Sequence, residues 1–114
     1  MMEWTIDFYP KAEKELNKLN GSPKSQVTKA IYKVSKNPLP QSEGGYGKPL
    51  GNTSSSKLAG CLKIKLKGIG LRVVYELIRV DNVMKIVIIS IRDDDEVYKE
   101  TERRIKNLNN HTTL

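Results

Sequence analysis

The chain opens on an alternation. In EWTIDF, Trp4, Ile6 and Phe8 interleave with Glu3, Thr5 and Asp7, a period of two that predicts a strand with one buried face. Pro10 then suits the first turn of a helix, and Ala12, Leu16 and Leu19 recur at spacings of four and three, with Gly21 as a stop. A second helix is predicted from Ser22 and Pro23, with Val27, Ile31 and Val34 on one stripe and an end before Pro38. These two helices are expected to form a hairpin. Residues 39–60, LPQSEGGYGKPLGNTSSSKLAG, are rich in Gly and Ser and show no period, so they predict a loop long enough to be functional or mobile.

Three strands follow, over 62–67, 71–80 and 83–91, with a turn at Gly68 and Gly70 and another at Asp81-Asn82. They predict an antiparallel meander. Val97, Thr101, Ile105 and Leu108 then lie on one helical stripe, ahead of a polar tail, NNHTTL at 109–114, expected to be flexible. The order strand, helix, helix, three strands, helix predicts an α+β fold in which a small sheet is built from the N-terminal strand and the meander. With neither an internal repeat nor a shift in composition, 114 residues predict a single domain spanning 1–114.

Charge narrows the functional classes. Lys and Arg number 20 against 13 Asp and Glu, giving +7, which points to an anionic partner: nucleic acid, a ribonucleoprotein surface, anionic lipid or an acidic protein. The single cysteine, Cys61, rules out an intrachain disulfide and is most simply a small buried side chain. The first residues lack a secretory pattern, and the most apolar window, 83–91, is short and contains Lys85. A cytoplasmic protein with no membrane partner is expected.

The candidate chemistry lies in CLKIKLKGIGLRVVYEL, where Lys63, Lys65 and Lys67 occupy every second position and so share a strand face. Taken alone, such a stripe is a solvated face opposite Leu62, Ile64 and Leu66. However, Arg72 lies just past the Gly turn on the adjacent strand, Arg92 ends the last strand, and Tyr98 lies in the first turns of the last helix. Groups from four segments then converge on one surface, the arrangement of a phosphodiester clamp. The run Asp93-Asp94-Asp95-Glu96 reads as helix capping, since consecutive side chains on a helix diverge and acids suit its N-terminus. His111 is the only histidine and falls in the tail, so neither a metal site nor a cofactor is expected. Tyr32 and Tyr75 are expected at the core or its boundary, each with its hydroxyl at the wet edge.

The same segments resemble the RelE branch of the RelE/ParE toxin superfamily of bacterial toxin-antitoxin systems. The resemblance runs from WTIDFYPKAEKELNKL through GKPLG and CLKIKLKGIGLRVVYEL to RDDDEVYKETERRI. It is carried by KIKL, then Gly70-x-Arg72-x-Val74-Tyr75, then Arg92 six residues before Tyr98. The chain departs from the pattern at Leu62 and Leu71, where members often carry an aromatic residue, and ISIRDDDEVY lacks the Gly-Lys or Gly-His that commonly precedes the arginine. The resemblance implies a RelE-like fold and a ribosome-dependent endoribonuclease that cuts mRNA in the A site, with a small acidic antitoxin as partner. It maps the catalytic motif onto Lys63, Lys65, Arg72, Arg92 and Tyr98.

RNA carries its own nucleophile, the ribose 2′-hydroxyl, so a protein has only to orient, deprotonate and neutralise. Arg72 and Arg92 present planar forks for the developing phosphorane charge. Lys65 is the expected base, Tyr98 orients the 2′-hydroxyl or stacks on a base, and Lys63, Lys67 and Lys48 hold RNA. Three other readings stay open: a ParE-like gyrase inhibitor, a non-catalytic nucleic-acid-binding module, and a degenerate toxin kept as an antitoxin partner.

Overall fold

The computed structural model describes residues 3–50 and 58–112, with side chains described up to residue 108. The elements run β1 (Thr5–Phe8), α1 (Pro10–Lys18), α2 (Gly21–Ser35), β2 (Cys61–Leu66), β3 (Leu71–Ile78), β4 (Val83–Ser90) and α3 (Asp94–Thr112). This is the predicted α+β order, but with bounds that matter for the site. β2 stops at Leu66, so Lys67 falls in the turn Lys67–Ile69 and not on the strand. Gly21, expected to stop the first helix, opens the second at a φ of 61°, a left-handed conformation that glycine adopts without strain. The backbone of α3 runs on to Thr112, taking in residues assigned above to the tail. Residues 51–57 of the expected loop, the side chain of His111 and residues 113–114 lie outside the described residues.

The four strands form one sheet in the order β1-β4-β3-β2. β2, β3 and β4 make the antiparallel meander, and β1 pairs in parallel with β4, Ile6 opposite Met84. Gly70, with a φ of 66°, closes the turn that sets Leu66 opposite Leu71 and hence Lys65 opposite Arg72. Because the side-chain period is two, this register places Lys63, Lys65 and Arg72 on one face and Leu62 and Leu71 on the other. α1 packs against β4, α2 against β2, and α3 against β3 and β4. Val27, Val73, Tyr75, Met84, Ile86, Val87 and Val97 are wholly buried between these layers.

The first part of the expected loop is tied to the core. The buried Tyr75 hydroxyl donates to the Pro38 carbonyl at 2.7 Å, which corrects its expected wet edge. A Cβ at Gly47 would collide with that hydroxyl and with Leu62, so the backbone passes too close for any larger residue. Tyr32, by contrast, is 62% exposed: it sits one residue past Ile31, about 100° round the helix from the buried stripe.

α3 is fastened by a polar network that periodicity does not reveal. Arg104, only 9% exposed along its side chain, donates to Glu15 of α1 at 2.8 Å, to Glu100 at 2.9 Å and to the Val87 carbonyl at 2.8 Å. Burial pushes the Glu100 carboxyl up, but the Arg104 hydrogen bond and the charges of Arg104 and Arg103 outweigh it and hold Glu100 below its ordinary range. Its contribution to stability is therefore present above the ordinary carboxylate pKa and lost as pH falls through the depressed one. Arg104→Met keeps the stem but leaves Glu100 only Arg103 and Glu15 only the Ile89 amide, and should lower unfolding stability by about 2 kcal/mol in urea titration at neutral pH.

Candidate functional site: a cationic cluster centred on Asp94

β2 and β3 carry the cations, and the first turn of α3 lies over them. The Lys63 ammonium donates to the Tyr98 hydroxyl at 3.0 Å and sits 5.7 Å from its ring centroid. Arg72 stands beside Lys65 across the strand pair. It is gripped at two points, donating from Nε to Asp94 at 2.5 Å and from Nη1 to the Arg92 carbonyl at 2.8 Å. Lys48 pairs with Lys63 through reciprocal backbone hydrogen bonds of 2.9 and 3.3 Å, which puts both side chains on one face of the edge strand. Lys67 lines a shallow cleft of about 200 Å³ shared with Lys65, Gly70 and Arg72.

Four of the five motif positions, Lys63, Lys65, Arg72 and Tyr98, are thus joined through direct contacts or a shared ion-pair partner. Arg92 joins differently: its carbonyl meets Arg72, while its guanidinium turns toward Glu96 at 3.9 Å and is 56% exposed along the side chain.

Asp94 is the residue that the sequence reading missed. Its carboxylate sits among the cations, 2.5 Å from Arg72 Nε, 3.6 Å from Lys65 Nζ and 3.9 Å from Lys63 Nζ. Burial pushes this carboxyl up, but the Arg72 hydrogen bond and the charges of Lys63, Lys65 and Arg72 overcome that and hold it below the usual carboxylate range. Capping of α3 falls instead to Asp93, whose Oδ1 accepts from the Glu96 amide at 3.0 Å. The missed signal was spacing: Asp94 precedes Tyr98 by four residues, so both project from one face of the helix. An anion at the centre of the cluster cancels part of the positive field on which a lysine base depends. Among the described residues, no group of three or more His, Cys, Asp and Glu could hold a metal ion.

The arrangement can bind a singly charged tetrahedral anion between two lysines and a fixed guanidinium, with a phenol at its edge. No protein-family model matches the chain. The mRNA interferase toxin RelE of Escherichia coli K12 is 31% identical over 104 residues, covering 91% of this chain and 99% of the relative. A free-state structure of a mutant of E. coli toxin RelE superposes with a TM-score of 0.72 at 30% identity, over 91% of this chain and 99% of that one. The toxin in the intact E. coli RelBE toxin-antitoxin complex aligns with a TM-score of 0.63 at 27% identity, over 79% of this chain and 98% of that one.

Proposed function

This chain belongs to the RelE family of toxins, and from that premise we propose that it is the toxin of a toxin-antitoxin pair that stops translation by cutting mRNA in the ribosomal A site. The single observation that carries the reading is the Lys63, Lys65 and Arg72 cluster closed around one anion, with Tyr98 at its edge. In this reading the 2′-hydroxyl attacks the adjacent phosphorus, and a 2′,3′-cyclic phosphate forms as the 5′-oxygen leaves. Arg72 neutralises the phosphorane, the fraction of Lys65 in the neutral amine form takes the 2′-hydroxyl proton, solvent water protonates the departing 5′-oxygen, and Tyr98 orients the ribose against Lys63. Arg92 swings from Glu96 to add a second fork, and Lys48 and Lys67 hold flanking phosphates.

The relatives include a toxin crystallised with its antitoxin in a RelBE complex. A small acidic antitoxin covering the cationic face would silence this chain by complementing Lys63, Lys65 and Arg72. Ribosomes and mRNA as substrate imply a cytoplasmic site of action; among the described residues no helix is long and apolar enough to cross a membrane.

The test is to add purified protein to a translating extract and map the new 5′ ends of a defined mRNA. Cuts within codons held in the A site are expected. Arrested translation with intact mRNA would remove the nuclease reading, and blocked gyrase supercoiling in its place would favour the gyrase-inhibiting alternative.

A further inference from the structure

The position of Asp94 is unusual for an acid in the first turn of a helix. Asp93 already caps α3, and Asp95, next in the run, is exposed. Asp94 alone turns inward, and each of its oxygens meets a cation: Oδ1 meets Arg72, and Oδ2 faces Lys65 and Lys63. We propose that Asp94 is a built-in competitor for RNA phosphate, holding the cations in the free protein and exchanging with a phosphodiester when RNA enters. This rests on the reading of the cluster as a phosphate site.

Three features make the exchange feasible. A phosphodiester and a carboxylate both carry one negative charge, so the swap leaves the charge of the cluster unchanged. At 3.6 and 3.9 Å, both lysine ammoniums lie beyond hydrogen-bond range of Oδ2, so apart from the one Lys63 donor given to Tyr98 their N–H groups can turn to a larger, tetrahedral anion that spans all three cations. The released carboxylate is not stranded either: it is already 36% exposed and stays at the N-terminus of α3, where the helix dipole favours it. The low protonation range of Asp94 fits the same picture, because the competitor is fully charged at neutral pH.

The contact also reaches Tyr98. Asp94 and Tyr98 lie four residues apart on α3, and both touch Lys63. An intramolecular carboxylate competes at a high effective concentration, which dilute RNA does not match but RNA held by a second body does. Asp94 thus biases the site against free RNA.

The experiment compares the wild type with Asp94→Asn, Asp94→Ser and Asp95→Asn. The probe is a short fluorescent oligodeoxynucleotide, which offers phosphodiesters but no 2′-hydroxyl and so cannot be cut by 2′-hydroxyl attack. Both Asp94 variants should bind it about tenfold more tightly than wild type at one fixed salt concentration, a difference of about 1.4 kcal/mol. Asp95→Asn removes the same charge one residue away and should bind as wild type does. Equal tightening by Asp95→Asn would reduce the effect to net charge and overturn the proposal, as would Asp94 variants that bind no better than wild type. Thermal unfolding of each variant identifies any that fails to fold, and the other Asp94 substitution then carries the comparison. Cleavage of ribosome-bound mRNA is scored separately. Tight Asp94-variant binding with no cleavage by any protein would sink the nuclease reading and leave the competitor intact.

Discussion

Arg72→Ala should lower single-turnover cleavage of ribosome-bound mRNA by about 10²–10³-fold, the effect of losing one preorganised donor to a developing oxyanion. Arg72 is the best fixed of the cations. The Arg92 carbonyl holds its Nη1, a contact that does not depend on Asp94, and the Gly70 turn fixes its register opposite Lys65. A group held this way needs little reorganisation when charge builds on phosphorus. Arg72→Lys keeps the charge but loses the planar fork, and it should recover only part of the rate. Association with the ribosome should change far less, because one of 20 Lys and Arg residues contributes little to a diffuse attraction. Stopped-flow binding and quench-flow cleavage on the same ribosomes check the split. A fall in binding that matched the fall in rate would make Arg72 a gripping residue only.

The second large effect concerns the ribosome itself. The same mRNA offered naked should be cut at least about 10³-fold more slowly than when it occupies the A site, since orientation by a second body supplies much of the barrier reduction. The open geometry of the site motivates this expectation. Lys65 and Arg72 are 29% and 26% exposed along their side chains, and the cleft beside them is only about 200 Å³, so nothing among the described residues encloses a nucleotide. The protein supplies charge in a fixed pattern, and something else must present the phosphate in line. Comparable rates on naked and ribosome-bound RNA would contradict this division of labour.

Much of this site was legible in the sequence for identifiable reasons. A strand period of two together with a tight Gly turn leaves little freedom in register, so Lys63, Lys65 and Arg72 could be placed on one face from spacing alone. Tyr98 was placed by its position in the first turns of the last helix and by its six-residue distance from Arg92. What the sequence hid depends on how the helices dock. Spacing puts Asp94 on the helix face of Tyr98, but whether that face meets water or cations turns on the angle at which α3 meets the sheet, and a run of four acids reads as capping whichever one turns inward. The Arg104 link to Glu15 joins residues 89 apart, and no local pattern announces it. The anchoring of residues 38–47 on Tyr75 was equally invisible, because glycines that permit close backbone approach look the same as glycines in a free loop. Arg92 marks a middle case: it was expected to end the last strand, but β4 stops at Ser90, two residues earlier, and the Arg92 guanidinium pairs with Glu96, a local partner that spacing alone does not weigh.

The central claim is that this cationic cluster cuts RNA through the substrate's own 2′-hydroxyl. It is tested most directly by programming ribosomes with two mRNAs identical except for one 2′-deoxynucleotide on the 5′ side of the mapped cut, and measuring single-turnover cleavage of both. The all-ribose message should yield fragments ending in a 2′,3′-cyclic phosphate and a 5′-hydroxyl, and the deoxy-substituted message should remain intact at that position. Undiminished cutting of the deoxy-substituted message would contradict the mechanism.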